Sequence, residues 1–229
     1  MYKKLKFENI INPVFGFLII AGLILLLGKA SWWPSFYNAH FLGTAFLASA
    51  GLILLPKYIL RTDDQCRRDA VTKLRAAISL ALILNALGEL YLYELYHYGI
   101  QYDKIIHFST SFTFVIVLTF FAQAWFRMPA KKALLLGVIL VISGGFLWEL
   151  LEYSSDLIFK TKELGIYGQY VVSDTVFDLL SDFFGAFVSA IVLLYSKSAR
   201  KIFSQYCQRL TGTSEKKQLL SLDKRKNAF

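Results

Sequence analysis

The chain has 229 residues, of which 56% are hydrophobic and only 18% charged, with a formal net charge of +9. A soluble domain has about 25% charged residues, so the composition argues against an ordinary water-soluble fold. Nucleic acid binding, the usual reading of a basic soluble domain, is not expected either, because the basic residues follow a membrane loop pattern.

Taken in chain order, six apolar stretches predict six transmembrane helices at roughly 10–28, 40–60, 74–98, 104–126, 132–155 and 172–196. Several exceed the roughly 18 residues needed to cross a bilayer. The first follows Lys3, Lys4 and Lys6, as a signal peptide would. It is long for such a segment, and Gly28-Lys29-Ala30 is a poor cleavage site, so a retained helix is expected. The fold class is therefore all-α, a polytopic six-helix membrane bundle.

Charge sets the expected orientation. Of the 25 Lys and Arg residues, all but Lys29, Lys104, Lys160 and Lys162 flank the N-terminus, the second loop, the fourth loop or the C-terminus. By the positive-inside rule both termini are cytoplasmic, in an inner (cell) membrane. Trp32, Trp33, Tyr37, Tyr96, Tyr98, Tyr102, Trp125 and Phe126 mark the two interfaces. Residues 1–198 read as the membrane domain, and 199–229 as a basic cytoplasmic tail. In that tail Ile202, Phe203, Tyr206 and Leu210 share one face of a short amphipathic helix, suited to anionic inner-leaflet lipids, with disorder beyond. Cys66 and Cys207 both fall on the cytoplasmic side and are expected as free thiols.

The acidic residues are uneven. Glu89, Glu94, Asp103, Glu149, Glu152, Asp156, Glu163, Asp174, Asp178 and Asp182 all lie toward the non-cytoplasmic side, most of them inside helices. A carboxylate at a helix centre costs about 2.5–3.5 kcal/mol to insert. Such residues face a bundle interior and are functional candidates. Asp103 and His107 are four residues apart, with Ser111 one turn deeper. Glu149 and Glu152 share a stripe. Asp174, Asp178 and Asp182 form a ladder, and Asn85 and Glu89 form another stripe. Charges this close need either protonation or cations. A divalent cation held by Glu149, Glu152, Asp174, Asp178 and Asp182 is one answer, with Asn85, Glu89 and Ser111 behind them. His107 and Asp103 would then be the acid–base pair. Simple helix capping by Asp103 or Asp174 is the plainer alternative, and Gly144 and Gly145 suggest close helix packing.

Asp103-Lys104-x-x-His107-Phe108, Glu149-Leu-Leu-Glu152 and Asp178-Leu-Leu-Ser-Asp182-Phe-Phe-Gly185, in this order, resemble the VanZ-like membrane proteins. Tyr102 and the aspartate ladder also resemble the bacterial inner-membrane family represented by YjdF. The resemblance covers about residues 85–195. Asp182 stands where the VanZ-like pattern has asparagine, and the arginine of the loop before the last helix is missing. The resemblance implies a bacterial envelope protein and no defined reaction. Three functions follow as expectations: a cation-binding membrane protein in envelope or lipid biology, a metal-dependent enzyme acting on a lipid-linked substrate, and a proton- or ion-coupled transporter.

Overall fold

The computed structural model describes residues 7–29, 32–33, 38–159 and 171–196. The expected tail helix and Cys207 lie outside these residues. Six long helices are present: α1 (Glu8–Leu27), α2 (Ala39–Ile59), α3 (Gln65–Leu90), α4 (Tyr102–Phe126), α5 (Ala130–Phe159) and α6 (Val171–Tyr195). All six are long and apolar enough to cross a membrane. Among the described residues there is no strand. Large apolar side chains such as Ile20, Leu55, Phe146, Leu151 and Phe184 face outward, as lipid-facing surfaces require. The chain is an all-α protein embedded in a lipid bilayer.

The third helix departs from the expected 74–98 at both ends. It starts at Gln65 because the Asp64 side chain caps it, accepting from Cys66 N and Arg67 N at 2.8 and 3.0 Å. Such a cap satisfies amide donors that would otherwise be orphaned. It stops at Leu90, and a 3-10 segment (Leu92–Tyr98) follows. Here Tyr93 folds back over Gly88, where a Cβ would collide with its ring. Its hydroxyl donates to Asn85 Oδ1 at 2.8 Å. Cys66 is buried beside Ala70, Phe120 and Ala124.

The bundle has two larger apolar centres. Ile11, Leu18, Leu25, Phe46, Ile53 and Ala86 join α1, α2 and α3. Val115, Leu134, Val141, Ala186 and Leu193 join α4, α5 and α6. At one end the basic residues gather. Arg67 lies over Trp125 at 5.3 Å, Lys73 over Phe120 at 4.1 Å, and Arg75 pairs with Glu8 at 3.0 Å. Arg75 Nε also donates to the Ile53 carbonyl at 3.1 Å, so the buried guanidinium ties α1, α2 and α3 together.

At the other end α4 and α6 run side by side in the same direction. Gly185 allows this approach: a Cβ there would strike the Phe108 carbonyl and crowd Phe112 N. Both obstacles are backbone and cannot swing away. Gly185→Ala is expected to lower the stability of the detergent-purified protein by about 1–3 kcal/mol, as overpacking does. Gly51→Ala, with nothing near its Cβ position, should leave the thermal midpoint unchanged or raise it slightly.

Candidate functional site

The first two turns of α4 and the first three of α6 carry the cluster. Lys104 reaches across to α6. Its Nζ is 2.5 Å from Asp174 Oδ1, 2.7 Å from Asp178 Oδ1 and 2.8 Å from Asp178 Oδ2. It also lies 3.2 Å from Asp103 Oδ2 on its own helix. Asp174, Asp178 and Asp182 are all buried. Asp178 Oδ1 receives no well-directed hydrogen bond despite the nearby ammonium.

One turn deeper, His107 Nδ1 donates to Asp182 Oδ2 at 3.2 Å, and Ser111 Oγ donates to Asp182 Oδ1 at 2.6 Å. Asp182 thus has a donor on each oxygen. Its place depends on Gly145 of α5, since any Cβ there would run into the carboxylate. His107 Nε2 points the other way, 3.7 Å from both Asp103 Oδ1 and Asp178 Oδ1. Single ligand atoms of Asp103, His107 and Asp178 lie within 4.8 Å of one another.

The remaining expected residues divide. Glu149 is buried, hydrogen-bonds Thr175 of α6, and keeps Oε1 without a partner. Glu152 turns back along α5, accepting from Trp148 Nε1 at 2.6 Å. Asn85 is occupied by Tyr93. Glu89 is one turn along α3, near enough to act on Tyr93. Burial, with the Asp103, Glu89 and Glu152 carboxylates nearby, holds the Tyr93 phenol well above its usual range, so it stays a donor. Neither Asp103 nor Asp174 is a helix cap: each sits inside its first turn.

Sequence reasoning missed Lys104, Tyr93 and Trp148 as parts of this region. Lys104 had a signal, since it is a lysine inside the stripe that carries Asp103 and His107. Tyr93 had none, because its role comes from the chain folding back on α3.

A cavity of about 330 Å³ opens beside the cluster, between α2, α3, α4 and α5. Asp103, His107, Ser111 and Asp182 stand at its polar end, with Asn85 and Tyr93 opposite.

The pattern of a family described as "Predicted membrane protein (DUF2238)" matches residues 15–199, which takes in all of α2 to α6 and the whole cluster. The chain belongs to this family. An uncharacterised protein of Thermotoga maritima is 31% identical over 103 residues, 43% of this chain and 50% of that relative. The match therefore spans about half the relative's length. No solved structure matches the chain. Membership agrees with a membrane protein and assigns no reaction to the cluster.

Proposed function

We propose that this family member is a multi-pass protein of a bacterial inner membrane, with both termini cytoplasmic, whose α4–α6 cluster forms an extracytoplasmic-side pocket for a divalent cation. The gathering of Arg67, Lys73, Arg127, Lys131 and Lys132 at the end away from the cluster supports that orientation. The motif likeness to VanZ-like and YjdF-like proteins supports a role in envelope or lipid biology.

The observation that carries the cation reading is the convergence of Asp103 Oδ1, His107 Nε2 and Asp178 Oδ1, with the imidazole nitrogen 3.7 Å from each oxygen. Donors on a tetrahedral ion at about 2.05 Å stand roughly 3.4 Å apart, so the two imidazole–oxygen edges need only a small contraction. Asp182 sets the imidazole for this task. With Nδ1–H donated to its carboxylate, the neutral imidazole would turn an Nε2 lone pair toward a cation between the two oxygens, as in carboxylate–histidine–metal arrangements. The unpartnered Glu149 Oε1 offers a further oxygen nearby.

A second reading has its own observation. Lys104 already touches three carboxylates and is a built-in counter-charge, so the cluster works as a latch between α4 and α6. The two readings compete for Asp178 Oδ1. Calorimetric titration of Mn²⁺ into the purified protein separates them. The cation reading expects one site, weakened at least about tenfold by Asp178→Asn and by His107→Gln, in the range seen when ligands or their supports are lost. No binding, or binding indifferent to both substitutions, leaves the latch.

A further inference from the structure

We infer that the cavity between α2, α3, α4 and α5 is a chamber for a long-chain amphiphile with an ammonium head. The inference goes beyond the cation reading and does not rest on it: Asp103 and His107 line the cavity, but the chamber needs no bound cation.

Shape comes first. The lining follows α4 from Asp103 to Leu118, about 22 Å along the helix axis at 1.5 Å per residue. That exceeds the roughly 15 Å depth of one leaflet's hydrocarbon, half of a bilayer core of about 30 Å. Most of its length is apolar, walled by Leu52, Leu82, Phe114, Leu118 and Leu140. Leu52 and Leu140 are about half exposed, so the chamber communicates with its surroundings between α2 and α5. At the cluster end Phe41 of α2 and Phe159 of α5 meet with ring centroids 5.0 Å apart, which bridges the two helices there. A hydrocarbon chain enters such a space from the side at little cost, whereas water would leave its walls poorly solvated.

Charge then selects the head. The polar end presents the Asp103 and Asp182 carboxylates, with the Tyr93 hydroxyl and Asn85 across from them. No Lys or Arg is among the lining residues. The nearest candidate, Lys104, is shared among Asp174, Asp178 and, at 3.2 Å, Asp103, and His107 at the polar end is paired with Asp182, so the four aspartates outnumber the two basic groups and the polar end stays acidic. An ammonium head meets acceptors and opposite charge. A fatty carboxylate or phosphate meets Asp103 and is repelled.

Gly144 supplies a clean test. It lines the cavity, and a Cβ there meets nothing within 4 Å, so a larger side chain fills the chamber without disturbing the cluster. The full chain, reconstituted in phosphatidylcholine bilayers with a chelator present, is probed with nitroxide-labelled octadecylamine and with nitroxide-labelled octadecanoic acid. Electron paramagnetic resonance then reads the immobilised fraction of each. The amine should be retained about tenfold more strongly than the acid, the ratio given by one charge-assisted hydrogen bond. Gly144→Leu should abolish that retention, and Asp103→Asn should erase the preference between the two probes. If Gly144→Leu lowers the thermal midpoint, Ala81→Leu fills the same chamber from the α3 wall and replaces it. Equal retention of acid and amine, or retention that survives the filled chamber, overturns the proposal. Because the chelator removes divalent ions, failure of the cation reading does not disturb this result.

Discussion

Lys104→Met is expected to be the most damaging single change near the cluster. It removes the ammonium that stands within 3.2 Å of Asp103, Asp174 and Asp178 and keeps the apolar stem. Stripping one partner from a buried ion pair typically costs about 3–5 kcal/mol, because the remaining charge has no compensation. For a chain of this length, 3 kcal/mol corresponds to a fall in thermal midpoint of roughly 6–12 °C. The loss should be partly reversed in the double variant Lys104→Met/Asp178→Asn, which also removes one of the stranded charges. Added Mn²⁺ should restore part of the stability of Lys104→Met, since an external cation can take the place of the internal one. A thermal melt of Lys104→Met that matches wild type would mean that the lysine does not bridge α4 and α6.

Asp182→Ala is expected to rank second. Its carboxylate accepts from both Ser111 and His107 in a buried position, and alanine leaves both donors stranded. Each stranded polar group costs about 1–3 kcal/mol, so a total of about 2–6 kcal/mol is expected in a detergent melt. Asp182→Asn keeps an oxygen for Ser111 and should cost about 1 kcal/mol. The two variants also differ from Lys104→Met in Mn²⁺ binding. Loss of the group that orients a ligating imidazole weakens metal affinity about 10–100-fold, so Asp182→Ala should bind Mn²⁺ less well even where it remains folded. A melt of Asp182→Ala equal to that of Asp182→Asn would contradict the pairing of His107 and Ser111 with this carboxylate.

Much of this was legible in the sequence, because the bilayer imposes simple length and polarity rules. Six apolar runs became six helices, and the stripe of Asp103, His107 and Ser111 did meet the Asp174–Asp182 ladder. Helical spacing alone puts these residues on single faces. What spacing does not give is which faces meet. Glu149 and Glu152 looked like one pair on α5, yet the first is buried beside α6 and the second bonds back to Trp148. The trio whose side-chain donor atoms converge draws Asp103 and His107 from α4 and only Asp178 from the ladder. The need for protonation or cations is also met in part from within, since Lys104 alone serves three carboxylates at once. The early start of α3 was hidden by its charged first turns, which read as loop until Asp64 is seen capping them. Its early end was hidden because Tyr93 closes over Gly88 only in three dimensions.

The most direct measurement is an anomalous difference map from crystals of the full chain grown with Mn²⁺. The cation reading predicts a single strong peak about 2.2 Å from Asp103 Oδ1, His107 Nε2 and Asp178 Oδ1, with His107 Nδ1 still on Asp182 and Lys104 drawn off Asp178. A map with no peak there, and Lys104 Nζ still seated between Asp174 and Asp178, would contradict it.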